Sequence, residues 1–172
     1  MGIQSYFIEK KVRQSLQSTP KNNVEHHLNR INKVALIVDE KSGFNVKHFN
    51  ALKDQLKLNE TAISILTIKT KCPKDTEPED FTFCVNKVNW FGRVKSDSYH
   101  SFIANDYDLM IDYVSSTSKY IQLIISSIKA PLKVGFAQNN SYFYNIILNI
   151  KPDNIEAFHK ELIRYLNILK LL

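Results

Sequence analysis

Apolar positions in this chain fall into two kinds of run, short continuous blocks and longer stripes of helical period, and the two alternate. Tyr107–Val114, reading Y-D-L-M-I-D-Y-V, is apolar in its middle and is followed at once by four hydroxyl residues. A short run buried on both faces, feeding a helical stripe, is how a strand of a parallel sheet enters its crossover helix. Lys33–Asp39 is a second block of this kind and gives the first strand. Glu40–Gly43 is the turn after it. Val46, Phe49, Leu52 and Leu56 then mark one face of a helix, with Asn45 as its N-cap. Ala62–Ile68 is the second strand.

Downstream, Ser98–Asn105 is a short helix leading into the central strand. Ile121, Ile124, Ile125 and Ile128 form the next helical stripe, capped by Ser116 or Thr117. Leu132–Phe136 is a strand. Across the polar turn Gln138–Ser141, residues 142–150 alternate, with Asn145 and Asn149 polar beside Phe143 and Ile147. That alternation predicts an antiparallel edge strand closing a hairpin. Asp153–Glu156 reads as a capping box for a last helix carrying Ile155, Phe158, Leu162, Leu166 and Leu169.

Two segments stand apart. Ile3–Gln17 predicts a helix, with Ile3, Tyr6, Phe7, Val12 and Leu16 on one side and Lys10, Lys11 and Arg13 elsewhere; Ser18-Thr19-Pro20 ends it. Residues 71–97 break the pattern. Pro73 and Pro78 bracket an acidic run of Asp75, Glu77, Glu79 and Asp80, Phe81–Val85 gives a short edge strand, and Trp90, Phe91 and Arg93 follow. So long a stretch without a full helix is a functional or poorly ordered excursion. The expected organisation is an N-terminal basic helical arm over 1–32 and a single α/β domain over 33–172. Its fold class is a three-layer sandwich: a mostly parallel, Rossmann-like sheet with an antiparallel edge hairpin and an N-terminal basic helix. The first strand belongs beside the central one, with the second strand outside the first.

Charge adds a direction to this picture. The 172-residue chain carries a net charge of +6. Residues 1–33 hold six basic against two acidic side chains, so most of the excess sits on the N-terminal arm. A basic surface favours anionic partners such as RNA. No run approaches the roughly 18 apolar residues of a membrane span, and the N-terminus shows no signal-peptide core. A cytoplasmic protein is expected. Cys72 and Cys84 match no metal or redox spacing, so free thiols are expected ahead of a disulfide. The pair His26-His27 reads as solvated surface, a metal site being the sharper alternative. Glycine-rich phosphate loops, nucleophile elbows and zinc motifs are absent, so no cofactor and no catalytic residue are expected.

Two places could carry chemistry. In a wound sheet the ligand crevice lies beyond the strand C-termini where the winding reverses. Asp39, Glu40 and Lys41 would line it from the first strand, and Asp112, Ser115, Ser116, Thr117 and Ser118 from the central one. The hydroxyls at a helix N-terminus could hold an anion, and the two aspartates a cation or a proton; capping and turn closure are the plainer roles. The second place is the set Lys10, Lys11, Arg13, Trp90, Phe91 and Arg93. Aromatic and cationic side chains together stack bases or dock partners, while the plainer role is to pin an irregular segment to the sheet edge.

Several pieces are similar to a family of small, uncharacterised proteins from Bacteroidota, known as a domain of unknown function. They are L-I-V-D-E at 36–40, Trp90 before G-R-V at 92–94, D-Y-D-L-M-I-D-Y at 106–113, L-K-V-G-F at 132–136 and R-Y-L-N-I-L at 164–169. The resemblance implies an intracellular bacterial protein and carries over no activity or cofactor. The chain also resembles one lobe of a two-lobed glycosyltransferase, whose cleft a partner would have to complete. The expected function is a non-enzymatic cytoplasmic binding module contacting RNA, a ribonucleoprotein or a protein partner. The alternative is a small enzyme or sensor holding a phosphorylated metabolite or nucleotide at the strand-end crevice.

Overall fold

The computed structural model describes residues 3–18, 28–72, 81–114, 117–136 and 141–172. The pair His26-His27, the acidic run 75–80, and Ser115 and Ser116 lie outside the described residues. Five helices and six strands are described: α1 (Ile3–Ser18), β1 (Val34–Asp39), α2 (Val46–Leu56), β2 (Ile63–Lys69), β3 (Thr82–Cys84), α3 (Asp97–Ala104), β4 (Leu109–Asp112), α4 (Lys119–Ser127), β5 (Leu132–Phe136), β6 (Ile146–Leu148) and α5 (Ile155–Ile168).

The strands form one sheet in the order β3-β2-β1-β4-β5-β6, and every pairing is parallel. This is the doubly wound order 3-2-1-4-5-6, with its reversal between β1 and β4. The central pair lies side by side and parallel as expected, with Val34 beside Leu109 and Ile37 beside Asp112. Alternate strand residues face two cores. Ala35, Ile37 and Met110 pack under α1, α3 and α4. Leu36, Val38, Ile111 and Tyr113 pack under α2 and α5. These are the three layers.

The edge hairpin is not there. β6 runs parallel to β5, with Val134 beside Ile146 and Phe136 beside Leu148. The reason lies in Asn145. Its N–H donates to the Lys133 carbonyl at 2.9 Å, and its Oδ1 accepts from the Lys133 N–H at 2.8 Å. The chain therefore returns to the start of β5 before pairing, and an asparagine read as a solvent-facing position is the register lock.

Capping differs in detail. Asn45 caps α2 as expected, accepting from His48 N–H. Ser118, not Ser116 or Thr117, caps α4 through the Ile121 N–H. Asn154, not Asp153, caps α5 through the Ala157 N–H. Cys72 and Cys84 are joined in a disulfide with their Cα atoms 5.8 Å apart, so they are not free thiols. Parallel pairing of β2 with β3 sets Cys84 beside Lys69 at the end of β2, three residues before Cys72, and sequence spacing carries no trace of that.

Candidate functional site

At the winding reversal the carboxylates are engaged. Asp39 closes its own turn: Oδ1 accepts from the Lys41 N–H at 3.1 Å, and its carbonyl accepts from the Ser42 N–H. Glu40 and Lys41 are exposed beyond it. Asp112 is fully buried. The Tyr144 hydroxyl donates to its Oδ2 at 2.5 Å, and the Val114 N–H donates to its Oδ1 at 2.9 Å. Burial pushes the Asp112 carboxyl up to about 7, against those two donors and with help from the Asp39 charge. Tyr144 reaches Asp112 by crossing Gly135, where a Cβ would stand 2.5 Å from its Cε1. Thr117 and Ser118 are exposed at the start of α4. Asp39 stands close enough to Asp112 for its charge to bear on the buried acid, Ser118 caps α4, and an unexpected tyrosine covers Asp112.

On the other face of the same strand end, Tyr113 and His159 share a hydrogen bond of 2.7 Å. Both are buried. Burial holds the His159 imidazole down at about 4, aided by the neighbouring His48 and opposed by Glu156. The Nδ1 of His48 is buried without a hydrogen-bond partner.

The second candidate set is drawn together far more closely. α1 lies along α4 with Ile8 and Val12 in the core, because these two positions, four apart, fall on one helical face. Tyr6, expected on that face, is exposed. A tight turn follows the 3-10 segment Val85–Lys87. Val88 bridges Val94 in antiparallel fashion, and Gly92 N–H closes the turn on the Asn89 carbonyl at 3.0 Å. Asn89 Oδ1 also accepts from the Phe91 and Arg93 N–H groups, both at 2.9 Å. Gly92 has φ +67°, which a residue without a Cβ adopts freely. A Cβ there would meet Ile8 Cγ1 at 3.0 Å, so glycine also lets the turn lie on α1. Lys11 Nζ donates to the Gly92 carbonyl at 3.0 Å, and Gln4 Nε2 donates to the Val88 carbonyl at 3.1 Å.

Between α1 and this turn lies a cavity of about 410 Å³, lined by Phe7, Lys10, Lys11, Gln14, Phe91 and Arg93. Lys10, Lys11, Phe91 and Arg93 of the expected partner set meet here. Trp90 is not in the lining but stands next to it at the turn tip, 72 % exposed. Arg13 is exposed and lies off this face. Phe7 and Gln14 are additions. Positions 7, 10, 11 and 14 recur at i, i+3, i+4 and i+7, one helical face, and that spacing was the signal available for them. The lining holds three cationic side chains and no acid. Partial burial and the nearby Arg93 charge move the Lys11 amine down from its ordinary value. Chemically, the cleft sets three cationic side chains beside two aromatic rings.

Fold and cleft together define a doubly wound α/β protein with a basic, aromatic-edged cleft built from its first helix. The chain belongs to a family of unknown function, DUF6913, which matches residues 4–169 and so takes in α1 as well as the sheet. No curated protein and no solved structure matches it.

Proposed function

We propose that the protein is a non-enzymatic module of the bacterial cytoplasm that holds single-stranded RNA, free or within a ribonucleoprotein. The cleft between α1 and the Asn89–Arg93 turn is the observation that carries this reading. Its cations suit phosphates, its rings suit bases, and the lining holds no carboxylate to repel a phosphate. Single-strand binders combine these two components. Among the described residues no helix is long and apolar enough to cross a membrane.

The test is fluorescence anisotropy of a labelled, unstructured RNA across a salt series. With up to three phosphates neutralised, log K should fall with log salt with a slope of about −2. Replacing both Lys10 and Arg93 by Ala should remove most of the affinity. No binding at low salt, or binding indifferent to those changes, refutes the reading.

A phosphorylated metabolite or nucleotide at the winding reversal is the second reading. It is favoured by a buried acid with a pKa of about 7 beside the exposed start of α4. Thermal shifts with nucleotides or sugar phosphates that vanish in Asp112→Asn or Thr117→Val would support it; shifts unchanged by both would exclude it.

A further inference from the structure

Two large rings stand bare beside the cleft without lining it. Tyr6 of α1 is 64 % exposed and Trp90 of the turn 72 %. Large apolar side chains left exposed in a cluster mark a contact surface. Tyr6 meets Phe7 with ring centroids 5.6 Å apart. Phe7 meets Phe91 at 5.3 Å, and Trp90 adjoins Phe91 in the chain. Each wall of the cleft therefore carries an inner ring, Phe7 or Phe91, and an outer one, Tyr6 or Trp90.

Charge follows the outer ring on the helix side. Tyr6, Lys10 and Arg13 are exposed and recur at i, i+4 and i+7, a stripe that adjoins the cleft face and shares Lys10 with it. Glu9, the one acid of α1, accepts from the Ser5 hydroxyl at 3.0 Å and lies on the far side of this stripe from the cleft. A bilayer takes up the apolar face of a helix laid along it, but the apolar face of α1 is turned into the core through Ile8 and Val12. A thin polyanion can follow both the cleft and the stripe. Every base has a flat face, so stacking on rings tolerates any sequence. The Gln14 amide, a donor beside an acceptor, can pair with the edge of any base. Bases within a duplex keep their faces stacked on one another, so the rings select unpaired strands.

Resting on the RNA reading above, we propose that Tyr6 and Trp90 extend the cleft into a sequence-indifferent track for about four unpaired nucleotides, at most one base to a ring. The inner rings take the middle bases and the outer rings the flanking ones. The linking phosphates meet Lys10, Arg93 and, outside the cleft, Arg13. Lys11 is tied to the turn through the Gly92 carbonyl, so its first task is to hold the two walls together.

Fluorescence anisotropy of labelled RNA tests each part. Unpaired strands of mixed sequence should gain affinity steeply up to about four nucleotides and level off beyond, and oligo(A), oligo(U) and oligo(C) should agree within about fivefold. The same strand annealed to its complement should bind about tenfold more weakly. Tyr6→Ala and Trp90→Ala, both at exposed positions, should each weaken binding about tenfold with the salt slope unchanged, whereas Tyr6→Phe and Trp90→Phe, which keep a ring, should bind nearly as wild type. Arg13→Gln should flatten the salt slope by about 0.7. Full affinity in Tyr6→Ala or Trp90→Ala, a preference above about tenfold for one base, or an unchanged slope in Arg13→Gln overturns the track and leaves the RNA reading standing. Failure of every strand to bind, duplex bound as tightly as single strand, or binding to anionic phospholipid vesicles alone overturns both.

Discussion

Replacing Asp112 by Asn should tilt the dependence of stability on pH. Two groups at the end of β4 pull in opposite senses. Asp112 has its pKa raised by burial from 3.8 to about 7. As pH rises through that interval the unfolded chain has lost the proton while the folded one keeps it, so stability falls, by about 4 kcal/mol in all. His159 has its pKa lowered by burial from 6.5 to about 4. Here the unfolded chain holds the proton and the folded one does not, so stability rises with pH, by about 3 kcal/mol in all. Between about pH 4 and 6.5 the two slopes offset one another. Asn keeps an acceptor for the Tyr144 hydroxyl and removes the falling component. The variant should therefore gain on the wild type by about 3 kcal/mol between about pH 4.5 and 7. His159→Gln, which can still pair with Tyr113, should lose ground to the wild type by a similar amount over the same range. Urea denaturation followed by circular dichroism at several pH values measures both; tryptophan emission would not serve, since Trp90 is exposed in the folded chain. Other titrating groups cancel in the comparison with wild type. Variant and wild-type curves that run parallel in pH would refute the burial argument for both residues.

Three further outcomes follow from local geometry. Gly92→Ala and Gly43→Ala place a Cβ at the same φ of +67°, costing roughly 1–2 kcal/mol each. Only the former meets α1, at Ile8, so it should be the more destabilising and alone weaken RNA binding. Lys133 Nζ donates to the Ile125 and Ile128 carbonyls at 2.7 Å each; Lys133→Met should cost about 2 kcal/mol in urea denaturation at neutral pH. Burial holds that amine down at about 8, so wild type should also gain stability as pH rises from about 8 to 10, a gain the variant lacks. Cys72→Ser with Cys84→Ser should lose about 2–3 kcal/mol without reductant and almost nothing when dithiothreitol is present in both samples.

The parallel core was legible in the sequence because a strand buried on both faces must be a continuous apolar run, as Val34–Val38 and Leu109–Ile111 are. Their adjacency followed from how crossover helices cover a sheet. The direction of β6 was not legible. Residues 142–150 alternate as an edge strand would, and what sets the direction is a side-chain amide, Asn145, meeting Lys133 across the sheet. Caps shifted by a residue or two because several neighbouring hydroxyls and amides near α4 and α5 are equally able to accept, and packing selects one. The cleft was half legible. Charge and aromatic clustering pointed to Lys10, Lys11, Phe91 and Arg93, but that two segments some eighty residues apart in the chain face each other depends on Gly92 seating against Ile8. Trp90 was placed by composition, and its position just outside the cleft depends on the turn that Asn89 closes.

Ultraviolet cross-linking in intact cells, followed by identification of the cross-linked peptides, tests the central claim most directly. RNA adducts should map to Phe7 in α1 and to Trp90 or Phe91 at the turn tip, and should disappear when Lys10 and Arg93 are both replaced by Ala. Adducts confined to residues 39–42 and 117–120 at the strand ends, or no RNA adduct on a protein recovered in quantity, would contradict the account.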